Sequence, residues 1–430
     1  MFLRIRKYFY RLINKIFTEH VIEVLFMVAI LVAICLSLDL NGENFFSKID
    51  LTVFVAVIIA FIVNIVKTSV SKMIRKKIED FNKLSDDYNY LLKQYPCEKN
   101  LIEYTNTSQI NKVTYRKTFN KYPEGKVKFP VILERMLYDA SFEIKDCPEK
   151  KYELPERIKE NYEKIMQAHE FSDVYNQLNI RLDDYEYNQE ANKLSLMTSR
   201  TTYFDSLVTN RAMDYKWGLK STNRELYDYG PYVNKLKDSK LSNHLGFNGF
   251  VETADGKIIF VSRSNNVSIG KGTLGNSIGA SLKTMYALND EGFFTKNGLL
   301  NSMVKEINDE LKLSENDFEF SSKNIIAIYR DLVEGGKPQL LFYLKTTKDE
   351  KTINEEFIKA IKKKEKAYIH TRLAMDGDKL VFIDRNDLKN IFITPEMLIL
   401  KGKPYLTMPT ASAAIVILMK YLEDQEKNNK

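Results

Sequence analysis

The sequence predicts an α+β protein in which a two-helix transmembrane hairpin precedes a cytosolic mixed sheet that is packed between helices. Three observations predict this fold class. Two long apolar runs stand near the N-terminus, short apolar strands separated by turns fill residues 245–384, and an apolar helix follows at residues 411–422. Strands and helices in such an order pack as layers around a hydrophobic core, here an α/β/α sandwich.

Composition is that of a globular chain. At 430 residues, with 44% hydrophobic and 28% charged residues, the protein has room for about two or three domains. The formal net charge of +7 is modest, so it does not indicate binding to duplex nucleic acid, whereas a small anionic ligand or an anionic membrane surface fits it. Three cysteines without disulfide or zinc spacing are typical of a reducing compartment.

Residues 21–69 are predicted to form a transmembrane hairpin with spans at about 21–40 and 49–67. The runs VLFMVAILVAICLSL and LTVFVAVIIAFIVNIV each reach, with their flanks, the length of about 20 residues that crosses a bilayer core. A cleaved signal peptide would not be followed by a second, equally apolar span. A soluble helical hairpin would need a partner surface that covers both helices all round.

Charges beside the two spans predict their orientation. Basic residues crowd the outer flanks, whereas the loop between the spans, DLNGENFFSKID, is mainly acidic. By the positive-inside rule both termini are then cytoplasmic. Residues 1–20 are interpreted as a basic cytoplasmic N-terminus, and everything that follows the second span as cytosolic.

A connector and an intermediate region follow. In residues 70–96 apolar residues recur at three- and four-residue steps, which predicts an amphipathic helix that serves as a coiled-coil stalk or packs on the next domain. Residues 97–240 are interpreted as an intermediate cytosolic region. It shows a helical pattern at residues 152–170 and no catalytic spacing.

Residues 241–430 are predicted to be the domain that carries the function. Its strands are expected to pair as hairpins around Ala254-Asp255-Gly256 and around Glu334-Gly335-Gly336, since such residues adopt tight turns. The expected strands are residues 245–253, 257–262, 324–332, 339–345 and 379–384.

Two features of this domain suggest an anionic ligand. The run IGKGTLGNSIGAS lacks the spacing of known phosphate-binding loops, so turn formation is the favoured interpretation and a phosphate loop the alternative. Arg263 and Arg330 each end a predicted strand. Their guanidinium groups are candidates for contacts to a nucleotide phosphate, and a surface ion pair is the alternative.

An acidic helix supplies the candidate metal ligands. The segment KEINDELKL, residues 305–313, places Glu306, Asp309 and Glu310 close together at helical spacing. Carboxylates of this kind suit Mg²⁺ or Mn²⁺. A solvated helix face is the alternative.

The order of strand hairpin, glycine-containing loop and the helix LLNSMVKEINDELKL resembles the Nudix fold, whose signature is G-x5-E-x7-R-E-U-x-E-E-x-G-U. Lys305 falls at the arginine position, Glu306 at the first glutamate of the helix, and Asp309 and Glu310 at the paired acids. The resemblance implies that these three acids hold Mg²⁺ or Mn²⁺, and that the metal positions a diphosphate for attack by water.

The upstream half of the signature does not match. Asn297 stands where the signature has its first glutamate, Glu291 stands at its first glycine, and Lys312 replaces its last glycine. The incomplete signature favours a domain that binds a nucleotide without an enzymatic activity.

The membrane spans together with this domain resemble the transmembrane-Nudix effectors of CBASS, the cyclic-oligonucleotide-based antiphage signalling systems of bacteria. The resemblance implies that the domain binds a cyclic di- or trinucleotide made by a cyclic-nucleotide synthase, with no cofactor required. Homo-oligomers of the hairpins would then disrupt the bacterial inner membrane and cause abortive infection. The alternative is a membrane-anchored Nudix hydrolase that cleaves a nucleoside diphosphate-linked substrate with Mg²⁺ or Mn²⁺, and a scaffold without ligand or activity is the third hypothesis.

Overall fold

The structure is a computed structural model that describes residues 66–67, 69–70, 73, 84–106, 125–169, 174–217, 221–263, 270, 272–366 and 377–428. The chain divides into two compact units. The smaller comprises Met1–Lys83, Glu163–Phe171 and Tyr215–Thr222, and the larger comprises Leu84–Tyr162, Ser172–Asp214 and Asn223–Lys430. In the smaller unit the Tyr215 ring meets the Trp217 ring edge-on, with 5.0 Å between centroids.

Helices and strands alternate irregularly along the larger unit. The helices are α1 Tyr88–Gln94, α2 Glu156–Lys159, α3 Tyr162–Met166 (which continues into the smaller unit), α4 Tyr203–Val208, α5 Asn223–Tyr227, α6 Thr284–Ala287, α7 Lys296–Leu311, α8 Glu350–Lys366 and α9 Pro409–Asn428. The strands are β1 Leu101–Thr105, β2 Lys126–Met136, β3 Ser141–Lys151, β4 Leu178–Asn188, β5 Lys193–Thr202, β6 Gly246–Glu252, β7 Lys257–Arg263, β8 Leu274–Gly275, β9 Ile278–Ser281, β10 Ile325–Asp331, β11 Lys337–Lys345, β12 Gly377–Asp384, β13 Phe392–Ile393, β14 Met397–Leu400 and β15 Lys403–Leu406.

Nine strands form the main sheet, in the order β1-β2-β10-β11-β6-β7-β12, with β9 beside β6 and β8 beside β7. Strands β11 and β6 are parallel, whereas the other pairs of this sheet are antiparallel. Parallel neighbours begin at the same sheet edge, so β6 and β11 begin at the edge where β7 and β10 end. That edge is the one beside which the candidate site lies.

Helices cover both faces of the main sheet. Along β11 alternate side chains point to opposite faces, with Leu340, Phe342 and Leu344 on one and Leu341 and Tyr343 on the other. The first face packs against α7, α8 and the strands β4 and β5. The second packs against α9 and the segment from Leu388 to Leu398. Because both faces are covered, β11 is buried along its length up to Lys345.

Two smaller sheets accompany the main sheet. One has the order β3-β5-β4, with β3 parallel to β5, and the other has the order β13-β14-β15. Strand β4 is also hydrogen-bonded to residues that flank β6 and β9, because Ile180 donates a backbone hydrogen bond to Leu282 and accepts one from Leu245. These two hydrogen bonds place the polar face of β4 and β5 next to β9.

Glycine is required where the two central strands touch. A Cβ on Gly249 of β6 would lie 2.0 Å from the ring of Phe342 on β11. The turn predicted between β6 and β7 is present, and Gly256 there has φ +79°. This backbone conformation favours glycine because a Cβ makes it strained.

The predicted fold class is wrong. The described chain is mixed α+β with three separate sheets, rather than one sheet behind a membrane hairpin. Among the described residues, no helix is long and apolar enough to span a bilayer. The last turns of α9, with the sequence KYLEDQEKN, are charged. The predicted spans at about 21–40 and 49–67 lie outside the described residues, apart from Val66 and Lys67.

The structure also changes the domain boundaries. Residues 84–87 are not helical, and α1 begins only after Asp87, whose side chain accepts a hydrogen bond from the Tyr90 amide. A single connector helix over residues 70–96 is therefore not formed. The boundary at residue 240 is not a boundary of the fold either, because β1 and β2 complete the main sheet beside β10.

Candidate functional site

The predicted acidic helix is α7. Thr295 caps the start of this helix by accepting a hydrogen bond from the Gly298 amide. The helix ends at Leu311, and the next residue, Lys312, adopts a left-handed conformation with φ 61°. Glu306 and Glu310 lie on its buried face, at 3% and 6% exposure. Asp309 lies beside Lys305, 3.1 Å away, on the more exposed face. Two of the three predicted metal ligands are therefore turned into the protein.

Glu306 is paired with the ammonium group of Lys283, which follows strand β9. The side chain of Lys283 is 14% exposed and that of Glu306 is 3% exposed. Burial acts to lower the pKa of Lys283, but the Glu306 carboxylate outweighs it, so the pKa lies above its ordinary value. At neutral pH Lys283 is therefore a cation beside the Glu306 carboxyl group.

Among the described residues, the three acids are not brought together as ligands of a divalent metal. Such an ion needs several oxygen ligands that point to one place. Here Glu306 faces Lys283 and Asp309 faces Lys305. Within the described part of the chain, no three His, Cys, Asp or Glu side chains come close enough together to hold a metal ion.

A tyrosine ring lies beside the two lysines. The Nζ atoms of Lys283 and Lys305 are 5.6 and 5.9 Å from the centroid of the Tyr286 ring. The neighbouring Met285 is 69% exposed, so this part of the surface is open to solvent. We call Lys283, Tyr286, Lys305 and Glu306 the lysine mouth. It combines an aromatic ring with two cations, each of which is paired with a carboxylate. Cations bind phosphate groups, and an aromatic face can stack on a base.

The two predicted arginines are not brought together. Both lie at the edge where β7 and β10 end, but β11 and β6 stand between them, which separates them by roughly 14 Å at the usual strand spacing. Arg330 is 4% exposed and donates hydrogen bonds to the carbonyls of Gly336 and Asn234, at 2.7 and 2.8 Å. Arg263 lies against the glycine run, where a Cβ on Gly275 would approach its Cδ to 3.3 Å.

A row of polar side chains extends inward from Lys283. Asn179 of β4 lies directly opposite Thr201 of β5 on one side and opposite Lys283 on the other. Arg181 lies in the same way between Ser199 and His244. Opposed residues of antiparallel segments point to the same face, so these side chains share one face. We call Asn179, Arg181, Ser199 and His244 the polar row.

The polar row is buried and incompletely hydrogen-bonded. Asn179, Ser199 and His244 are 0% exposed, and Arg181 is 7% exposed. Among the described residues, none forms a hydrogen bond with the amide oxygen or nitrogen of Asn179, with the Ser199 hydroxyl or with Nδ1 of His244. An unmade hydrogen bond of a buried group costs about 1–3 kcal/mol, so the row is a place where a bound polar partner would be stabilising.

His244 is neutral in this setting. Its Nε2 is 2.9 Å from the Ser281 hydroxyl, and its ring lies 6.3 Å from the ring of Tyr203. Burial holds its pKa well below the ordinary value, and the cations of Lys337 and Arg211 add to this effect.

Sequence reasoning missed the polar row. The alternation of Asn179, Arg181 and Asp183 with Ile180 and Leu182 is the signal of a strand. Such alternation normally places the polar face in solvent, however. Here the segment that contains Ser242, whose hydroxyl lies 2.8 Å from that of Thr201, packs on this face.

Next to His244, the turn between β10 and β11 carries buried charges. Asp331, Glu334 and Lys337 are 3%, 7% and 4% exposed, and Lys337 lies 3.1 Å from Glu334. Burial and the charge of Glu334 raise the pKa of Asp331 to about 7. For Glu334 burial acts in the same direction, but Lys337 and Arg211 hold the pKa below its ordinary value.

This raised pKa predicts a pH dependence of stability. The folded state holds the Asp331 proton more tightly than the unfolded chain does, so this contribution to stability is present at low pH and lost as the pH rises through about 7. Between pH 5 and pH 8 the free energy of unfolding is expected to fall by roughly 2 kcal/mol more in wild type than in Asp331→Asn. Urea titrations at several pH values measure the difference.

A matched control is Asp290→Asn, which changes an exposed carboxylate. This variant should keep the wild-type dependence on pH. Equal slopes for wild type and Asp331→Asn would show that Asp331 is not the group responsible.

A groove of about 710 Å³ lies at the opposite edge of the main sheet, beside the end of β11. Its walls mix the carboxylates of Glu315 and Glu319 with Lys323 and Lys345 and with the ring of Tyr421. No predicted site residue lines it. It is separate from the lysine mouth and the polar row.

No protein-family model and no curated protein matches the chain. Among solved structures, it is similar in part to DR0079 from Deinococcus radiodurans, with 14% sequence identity and a TM-score of 0.18. The likeness covers 25% of this chain and 56% of that chain, so this chain spans about half the length of that protein.

Proposed function

We propose that the larger unit binds a cyclic oligonucleotide and does not hydrolyse it. The observation that carries this proposal is the Lys283 ammonium on Glu306. In a metal-dependent hydrolase a divalent cation would be expected at such a carboxylate, where it activates water and holds the leaving group. An ammonium attracts phosphate oxygens in the same way but does not make a nucleophile from water.

The lysine mouth has the chemistry that a nucleotide requires. Its two lysines attract a phosphodiester, and the Tyr286 ring offers a face on which a base can stack. The overall formal charge of +7 also favours an anionic ligand. A cyclic di- or trinucleotide supplies phosphodiester anions and bases within one small molecule, which is the ligand that the resemblance to CBASS effectors implies.

The remaining parts of the hypothesis rest on that resemblance. An inner-membrane location, self-association, a companion cyclic-nucleotide synthase and abortive infection remain predictions from the sequence. Ligand binding would drive any such response only if the ligand binds the assembled state more tightly than the separate chains.

A binding panel tests the proposal. The full chain is offered cyclic di- and trinucleotides and a linear nucleoside diphosphate sugar, each with and without Mg²⁺ or Mn²⁺. We expect at least one cyclic nucleotide to raise the thermal unfolding temperature, because a ligand that binds only the folded state stabilises it. Chromatography should detect no product.

Two results would contradict the proposal. Metal-dependent turnover of the linear diphosphate would favour the anchored Nudix hydrolase with Glu306, Asp309 and Glu310 as ligands. If no cyclic nucleotide raises the thermal unfolding temperature, the larger unit does not act as a cyclic-nucleotide sensor.

A further inference from the structure

The polar row begins one strand spacing from the lysine mouth. Asn179 and Lys283 are direct partners across an antiparallel bridge, so their Cα atoms are roughly 5 Å apart and their side chains share a face. The Lys283 side chain extends toward Glu306 at the half-buried mouth, whereas Asn179 lies on the inner side. Asn179 is therefore the residue of the polar row that lies next to the proposed phosphate ligand Lys283.

The side-chain amide of Asn179 presents one donor and one acceptor. In the described part of the chain, neither Nδ2 nor Oδ1 has a hydrogen-bond partner, although the residue is 0% exposed. A single group that carries an acceptor next to a donor satisfies both atoms at once. Adenine has this pattern at N7 and the N6 amino group, whereas the corresponding edge of guanine presents the two acceptors N7 and O6.

We propose that Asn179 recognises the edge of an adenine base in the bound nucleotide. This inference rests on the proposed function and adds the identity of the base. The neighbouring groups fit a polar ring system. The Ser199 hydroxyl and His244 Nδ1, on the same face, are also without hydrogen-bond partners among the described residues. A base that enters the polar row would therefore meet donors and acceptors rather than an apolar wall.

Exchange of the amide for a carboxylate gives a sharp test. We expect wild type to bind cyclic di-AMP at least tenfold more tightly than cyclic di-GMP in calorimetric titrations. Asn179→Asp leaves only acceptors, which repel adenine N7 but accept from the N1–H and N2–H₂ groups of guanine, so the preference should reverse. Asn179→Ala should weaken binding of cyclic di-AMP by about tenfold to a hundredfold.

The controls separate recognition from folding. Asn276→Asp introduces a carboxylate at another buried asparagine, 7% exposed, outside the polar row, and should keep the adenine preference. Thermal unfolding of each variant shows whether it is folded. If Asn179→Asp does not fold, the Asn179→Ala result decides.

The outcomes distinguish this inference from the proposed function. If wild type binds neither probe nor any other cyclic nucleotide, the proposed function fails. If a cyclic nucleotide binds and adenine is not preferred over guanine, or if Asn179→Ala retains the wild-type preference, the inference about Asn179 is wrong and the proposed function stands.

Discussion

Replacement of Lys283 by methionine is expected to destabilise the larger unit by about 3–5 kcal/mol and to abolish nucleotide binding. The variant leaves Glu306, with a side chain only 3% exposed, without the ammonium group that balances its charge. A buried charge that loses its partner is strongly destabilising, because water cannot replace the lost interaction. Binding is lost because the same ammonium is the proposed phosphate ligand.

A double variant separates these two effects. Lys283→Met with Glu306→Gln removes both charges, and an uncharged pair in a buried place is often as stable as the ion pair. We expect urea unfolding to show most of the wild-type stability restored, while calorimetry shows no recovery of cyclic-nucleotide binding. Lys323→Gln, at an exposed lysine in the groove at the other edge, is the matched control and should change neither quantity.

Either of two results would contradict this account. If Lys283→Met binds the nucleotide like wild type, Lys283 is not a phosphate ligand. If the double variant is no more stable than Lys283→Met, the pair with Glu306 is not the source of the lost stability.

Replacement of Arg224 by methionine is expected to cost the larger unit about 3–5 kcal/mol in free energy of unfolding. Arg224 is 1% exposed and forms an ion pair with Asp214 at 3.1 Å. It also donates hydrogen bonds to the carbonyls of Leu332 and Val333, at 2.7 and 2.8 Å. One guanidinium thus ties α5 to the turn after β10, and methionine can replace none of these bonds.

Chemical unfolding of the full chain measures this loss. The matched control is Arg385→Met, because Arg385 has a side chain 24% exposed and meets Glu252 and Glu426 only at 3.6 and 3.5 Å. A partly exposed pair of this kind contributes about 1 kcal/mol or less. If Arg224→Met and Arg385→Met lower the free energy of unfolding by similar amounts, burial does not make Arg224 the larger contributor to stability.

The elements of the second half of the chain were predictable because local signals agree there. Asp255-Gly256 separates the apolar runs of β6 and β7. Strands β10 and β11 are joined through Gly335 and Gly336, which have φ +64° and +72°. Turn chemistry and strand propensity point to the same hairpins. What could not be predicted is the pairing of β2 with β10, since strands so far apart in sequence leave no local trace of their contact.

The site was predictable only in part. The spacing of Glu306, Asp309 and Glu310 identified α7, but it could not reveal that Lys283, on another element, would neutralise Glu306. A charged residue at a predicted strand end, such as Arg330, favours a ligand contact, but in the structure its guanidinium donates to backbone carbonyls. Burial of a polar strand face, as at Asn179, depends on what packs over it and cannot be read from alternation alone.

The pairing of β2 with β10 also has a consequence for protein synthesis. The apolar stretch of β2, with Val127, Phe129 and Val131 fully buried in the finished sheet, leaves the ribosome long before β10 exists to cover its edge. An unpaired apolar edge is a template for association with other chains. We therefore expect this edge to be open to association until residue 331 has emerged, and a chain cut short before that point to be prone to aggregation.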